Sequence, residues 1–187
     1  MQYNTERGFW LQDDHPLMVE EDYEHFLPIV AGQSVLELGC GSGILLKTLK
    51  PHCSHIEGYD GYPGTYNLTS GLGHVADLSE PQVFGIFDWV ISIETGEHIP
   101  KQYEKTFLNN LTIHAKTGII LSWGEEEQEG VGHVNCRSQE YLQRELYKLK
   151  FLYDPHKSWN LRRKCKTWWL YQNLQVFYRV DGLKVTL

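Results

Sequence analysis

The sequence predicts an α/β protein with a mostly parallel sheet covered on both faces by helices. Strand-like and helix-like segments alternate along the chain, the arrangement that builds such a sheet. The apolar run Val35–Leu38 stops abruptly at three glycines, Gly39, Gly41 and Gly43. FDWVISI, Phe87–Ile93, has the near-continuous apolar character of a strand buried on both faces.

The elements follow in order. Val19, Tyr23, Phe26, Leu27 and Val30 are at helical spacing and predict a helix over Val19–Val30. Ser34–Leu38 is a strand, and Ile44–Lys50 a helix ended by Pro51. His55–Tyr59 is a second strand closing on Asp60-Gly61, and Gly61–Gly73, rich in turn formers, reads as a loop. A short strand over Gly73–Ala76 leads to Asp77. After Phe87–Ile93 come a helix over Gln102–Ala115 and a buried strand over Gly118–Trp123. Ser138 is a suitable N-cap for a helix with Tyr141, Leu142, Leu146 and Leu149 inward. Phe151–Tyr153 reads as a strand, Asp154-Pro155 starts another helix, and Leu174–Val180 is a last alternating strand.

The 187 residues suit one domain, with 1–30 an N-terminal segment and 33–180 the core. A 41% hydrophobic fraction is enough to bury that core. No apolar stretch follows a basic start, and no run is long enough to span a bilayer. Cys40, Cys53, Cys136 and Cys165 form no C-x-x-C pair and read as reduced thiols of a cytoplasmic protein. A net charge of −7 argues against a nucleic-acid partner. The charge is uneven: Glu125, Glu126, Glu127 and Glu129 cluster, as do Lys157, Arg162, Arg163, Lys164 and Lys166.

Ligands of open α/β sheets bind beyond the carboxyl ends of the strands. Glycines there either make a turn or let a ligand lie against bare backbone amides. The spacing is G-x-G-x-G, not the G-x-G-x-x-G of dinucleotide sites, and Glu37 precedes it. Asp60, seventeen residues after Gly43, can accept both hydroxyls of a ribose. Asp77 can accept from an adenine amine or cap a helix.

VLELGCGSG (Val35–Gly43), EGYD (Glu57–Asp60), ADL (Ala76–Leu78) and FDWVISIE (Phe87–Glu94) together resemble the class I S-adenosylmethionine-dependent methyltransferases, over roughly residues 33–180. The resemblance implies a Rossmann-like three-layer sandwich with seven strands, the last antiparallel. It implies S-adenosyl-L-methionine as cofactor, with Glu37, Gly39, Cys40, Gly41 and Gly43 facing its methionine part. Asp60 would face the ribose and Asp77 the adenine side, with Gly61, Leu78 and Glu94 also in the cofactor site.

Glu94, Glu97 and His98 give E-x-x-E-H after the fourth strand, and His133 and Asn135 follow the fifth. Both segments leave the same sheet edge and should converge over the methyl group. E-x-x-E-H with a later histidine is similar to the small-RNA 2′-O-methyltransferases and, in part, to the ubiquinone-pathway O-methyltransferases. The first resemblance implies Glu94, Glu97, His98 and His133 as ligands of Mg²⁺ or Mn²⁺, donors that suit such an ion. Without metal, His98 or His133 serves as general base or orienter, with Glu97 beside them.

Tyr3, Trp10 and His15 of the N-terminal segment either line the substrate pocket as a lid or pack on the sheet edge. Trp123 and Asn135 stand on the acceptor side, Asn135 as a substrate partner or a turn residue. The segment Trp159–Trp169 suggests either nucleic acid or an amphipathic helix with its tryptophans in the core. The glutamate run fits a neutral or cationic small molecule or is a solvated loop. The leading expectation is methyl transfer to a small-molecule hydroxyl. Amine N-methylation, RNA ribose 2′-O-methylation and a non-catalytic cofactor-binding subunit are the rivals.

Overall fold

The run Phe87–Ser92 lies at the middle of a seven-stranded sheet. The computed structural model describes residues 3–11 and 20–180. In chain order the elements are β1 (Tyr3–Asn4), β2 (Phe9–Trp10), α1 (Glu20–Glu24), α2 (Leu27–Val30), β3 (Ser34–Leu38), α3 (Ile44–Leu49), β4 (His55–Asp60), α4 (Thr65–Leu68) and β5 (Gly73–Val75). There follow β6 (Phe87–Ser92), α5 (Glu104–His114), β7 (Ala115–Leu121), α6 (Gln139–Lys148), β8 (Phe151–Tyr153), α7 (Pro155–Arg162), α8 (Trp168–Asn173) and β9 (Gln175–Arg179).

The large sheet has the order β5-β4-β3-β6-β7-β9-β8. Its first five strands pair in parallel, and β9 runs antiparallel to both β7 and β8. The seven-stranded, mostly parallel sandwich with an antiparallel last strand is therefore as the resemblance implied. Alternate residues of each strand feed two cores. Val35, Trp89, Ile91, Ile120 and Val176 pack with α1–α3, α7 and α8 on one face. Leu36, Val90, Ile119, Leu121 and Phe177 pack with α5 and α6 on the other. Asp88, the polar residue within β6, ties the strand starts together: its Oδ2 accepts from the Ser34 backbone N–H (2.9 Å) and hydroxyl (2.7 Å).

The expected helix over 19–30 is broken, and Val19 lies outside the described residues. Pro28 has no N–H to give the preceding turn, so α1 ends at Glu24 and α2 restarts at Leu27. Tyr23, Phe26 and Val30 still reach the core. The segment 61–73, read as a loop, contains α4, held by Thr69 Oγ1 donating to the Thr65 carbonyl at 2.8 Å. Both polar caps form: Ser138 accepts from Tyr141 N and Asp154 from Lys157 N. The tryptophans of 159–169 do not all enter the core, since Trp159 is 55% exposed and Trp168 58%.

Strands β3, β4 and β5 step outward in one direction, and the chain then crosses to β6 and β7 on the other side. The switch point lies between the carboxyl ends of β3 and β6, and a cavity of about 480 Å³ opens there. Among the described residues no helix is long and apolar enough to cross a membrane.

Candidate active site

One end of the cavity is built by the glycine turn. Gly39 and Gly41 have φ of 86° and 48°, in the left-handed region that side chains disfavour. A Cβ on Gly39 would stand 2.1 Å from Thr95 Oγ1, so the bare backbone also admits the β6 loop. The turn is stapled to β4: the Gly39 N–H donates to the Tyr59 carbonyl at 2.7 Å. Asp60 Oδ2 accepts from the Gly41 N–H at 2.9 Å and Oδ1 from the Tyr62 N–H at 2.8 Å. Each Asp60 oxygen keeps a further lone pair. Glu37 sits beneath, 3% exposed, with Oε2 buried and lacking a hydrogen-bond partner. Burial first, then the Asp60 charge, pushes its pKa well above the usual carboxylate range.

The other end is built by the segments after β6 and β7. Glu94 holds a left-handed φ of 46°, fixed by its N–H donating to Ser122 Oγ at 3.0 Å. A 3₁₀ turn, Gly96–His98, follows and presents Glu97 and His98 to the cavity. The Glu97 carbonyl accepts from both the Val134 and Asn135 N–H groups at 2.9 Å, which draws the β7 loop over the turn. His98 and His133 then meet edge to face, ring centroids 5.1 Å apart. Each turns Nδ1 toward a carbonyl oxygen, His98 to Gly132 (3.2 Å) and His133 to Gln128 (2.9 Å). A carbonyl only accepts, so Nδ1 carries the proton, and the His133 lone pair is on Nε2. Glu97 is fully buried; burial first, then the Glu94 charge, raises its pKa well above the usual range. One ligand atom from each of Glu97, His98 and His133 lies within 4.8 Å of the others.

The β1–β2 hairpin closes over this edge. Tyr3 Oη donates to the His98 carbonyl at 2.7 Å, and Phe9 packs on Gly61, where a Cβ would meet its ring carbon at 2.4 Å. Arg7 pairs with Glu80, lies 3.7 Å from Asp77 Oδ2 and covers the Tyr103 ring at 5.1 Å. Arg7, Gly8, Phe9 and Trp10 all line the cavity.

The expected site residues divide accordingly. Glu37, Gly39, Cys40, Gly41, Asp60, Gly61, Leu78, Glu94, Glu97, His98, His133 and Trp10 line one cavity. Asp77 does not line it; its Oδ1 accepts from the Ser79 N–H (2.9 Å) and hydroxyl (2.6 Å), closing a turn where a helix cap was the expected alternative. Gly43 stands behind the turn as N-cap of α3, against Thr69. Trp123 is 1% exposed in the core, stacked edgewise on Phe107, with Nε1 donating to the Asn135 carbonyl at 2.6 Å. Asn135 is fully buried beside it, so neither lines the cavity, because the Glu97 carbonyl pulls the loop inward there. Tyr3 braces the His98 turn without lining the cavity, Glu94 falls outside the three-residue ligand cluster, and His15 lies outside the described residues. Gln128, Trp168 and Trp169 line the cavity unanticipated. Gln128, the one uncharged residue in its glutamate run, and the paired tryptophans were the available signals.

The parallel sheet with one antiparallel strand, and a cavity at its switch point, define the class I S-adenosylmethionine-dependent methyltransferase fold. A family model described as a methyltransferase domain matches residues 15–123, and the chain belongs to that family. Magnesium protoporphyrin IX methyltransferase from Synechocystis PCC 6803, solved with S-adenosylhomocysteine, superposes with a TM-score of 0.62 at 14% identity, covering 86% of this chain and 83% of that one. CalS10, an amino pentose methyltransferase from Micromonospora echinaspora solved with S-adenosylmethionine, gives 0.64 at 14%, covering 86% and 88%. A Haloferax volcanii putative methyltransferase structure, solved as a complex with the Trm112 activator, gives 0.59 at 16%, covering 83% and 87%. No curated protein matches the chain.

Proposed function

We propose that this methyltransferase acts on a hydroxyl of a small molecule. The observation that carries the reading is the convergence of His98, His133 and Glu97 on the cavity that also holds Glu37 and Asp60. S-adenosylmethionine fits the first end. The buried, unpartnered Glu37 oxygen calls for a cationic donor such as its ammonium. Asp60 has lone pairs for two ribose hydroxyls, Gly39 and Gly41 offer backbone to the methionine part, and Gly61 and Leu78 flank the ring side. When bound, the cofactor supplies an activated methyl group on a sulfonium.

The chain's own residues then have two tasks. The cavity walls align the acceptor oxygen in line with the methyl group, which removes most of the entropic barrier. His133, held by the Gln128 carbonyl, takes the hydroxyl proton on Nε2. In the alternative, Glu97, His98 and His133 fit three positions around a divalent ion; His133 Nε2 would then be a ligand, and the ion rather than His133 would lower the pKa of a coordinated hydroxyl. A second reading, an amine acceptor, is favoured by Glu94 Oε1 and both Glu97 oxygens, buried without hydrogen-bond partners.

The test has two stages. Calorimetry should show S-adenosylhomocysteine binding, weakened about tenfold or more in Asp60→Ala by loss of charge-assisted hydrogen bonds. Radiolabelled methyl transfer into separate pools of small alcohols and amines then identifies the acceptor atom. His133→Ala should abolish transfer to the alcohol while keeping cofactor affinity within about twofold. Transfer at the wild-type rate in that variant would overturn the proton-acceptor assignment.

A further inference from the structure

Helices α7 and α8 carry a face unlike the rest of the molecule. The chain has a net charge of −7, yet residues 155–173 contain Lys157, Arg162, Arg163, Lys164 and Lys166 and no acidic residue. Arg162 is turned inward, its Nε donating to the Leu174 carbonyl at 2.6 Å. Lys157, Arg163 and Lys164 are exposed. The same two helices expose large rings: Trp159 is 55% exposed, Trp168 58% and Tyr171 46%. Trp159 and Tyr171 meet with centroids 6.3 Å apart, and Trp168 meets Trp169 at 5.5 Å. Aromatic rings gathered this openly among cations mark an interaction surface.

We propose that this face docks on an anionic lipid surface, with Trp159, Trp168 and Tyr171 at headgroup level and Lys157, Arg163 and Lys164 against the acidic headgroups. Indole and phenol rings favour that boundary because one end is apolar and the other hydrogen-bonds. Lysine and arginine bury their stems there and keep their charges on the phosphates. A single-stranded nucleic acid would use the same residue types but would have to run from this face into the cavity. Its path crosses the exposed Glu126, Glu127 and Glu129, whose loop is joined to α8 by Asn173 Nδ2 donating to Gln128 Oε1 at 2.8 Å. A bilayer needs only the rings and cations of α7 and α8 and no path past that loop. The inference is independent of the acceptor assigned above.

The experiment is co-sedimentation of the full chain with phosphatidylcholine vesicles, with and without phosphatidylserine, at low and high salt. Wild type should partition at least about tenfold more strongly onto the serine-containing vesicles, with the difference shrinking in high salt. Arg163→Ala with Lys164→Ala should lower that partition about tenfold or more, at roughly fivefold per charge. Trp159→Ala should lower it at both salt levels, because its part is not electrostatic. An unchanged thermal midpoint shows that the variants are folded. Absence of vesicle binding by wild type, equal binding by the double variant, or binding of a single-stranded RNA oligonucleotide in place of vesicles would each overturn the proposal.

Discussion

Gln128 holds Glu94 by its side chain: Nε2 donates to Glu94 Oε2 at 3.0 Å. The Gln128 amide is oriented unambiguously, because its Oε1 faces the Asn173 amide at 2.8 Å and the Glu125 N–H at 3.4 Å. Its carbonyl meanwhile accepts from His133 Nδ1. One loop residue thus positions groups from two strand ends. Gln128→Leu removes a hydrogen bond to a carboxylate, worth about 1.5–3 kcal/mol. Methyl transfer should fall about tenfold to a hundredfold while S-adenosylhomocysteine affinity, read by calorimetry, changes little.

Glu37 predicts a pH dependence. Its folded pKa lies above the ordinary glutamate value, so the unfolded chain releases this proton first as pH rises. The folded state then binds more protons, and stability falls with rising pH until the folded pKa is passed. Thermal midpoints of the ligand-free protein should drop more steeply between about pH 5 and about pH 8 for wild type than for Glu37→Gln. Parallel curves would show that Glu37 ionises normally.

Gly8 governs how the hairpin lies. Its φ is 83°, and a Cβ there would stand 2.3 Å from the His98 carbonyl oxygen. Gly8→Val should lift β1–β2 away from the 3₁₀ turn. Trypsin cleavage after Arg7, now paired with Glu80, should then be faster than in wild type, and cofactor affinity lower.

The Glu97–His98–His133 cluster predicts binding of one Mn²⁺ per chain in protein saturated with S-adenosylhomocysteine, lost in His133→Ala. A flat titration of wild type would leave the two histidines as acid–base and orienting residues alone.

Gly118 gives a stability test remote from the cavity. A Cβ there would meet the Phe177 carbonyl oxygen and the Trp89 ring, each at 2.5 Å. Gly118→Ala should destabilise by about 1–3 kcal/mol, lowering the thermal midpoint by roughly 2–4 °C per kcal/mol.

The strands were legible because parallel strands buried on both faces need continuous apolar runs, as in β3, β6 and β7. Their carboxyl ends followed, and with them Glu37, Asp60 and Glu94. The β1–β2 hairpin was not legible, since strands of two residues carry no alternation. Helical spacing continues on both sides of Pro28 and so hides the break that its missing N–H makes. Trp123 and Asn135 follow a strand end just as His133 does, so chain position cannot separate them. Their burial depends on hydrogen bonds to the Glu97 carbonyl and between their own groups, which form only when two loops meet. Trp159 and Trp168 look like core residues by type, and only packing shows them turned outward.

The 3₁₀ turn Gly96–His98 has one more consequence. Two separate stretches hang from its backbone oxygens: the β7 loop from Glu97 and the N-terminal hairpin from His98. The β7 loop is held by its own backbone N–H groups, whereas the hairpin is held by the Tyr3 hydroxyl and by the lack of a side chain at Gly8. The loop part of the cavity wall can therefore change its side chains while its anchorage stays, but a hairpin that loses Tyr3 or gains a side chain at Gly8 loses its seat.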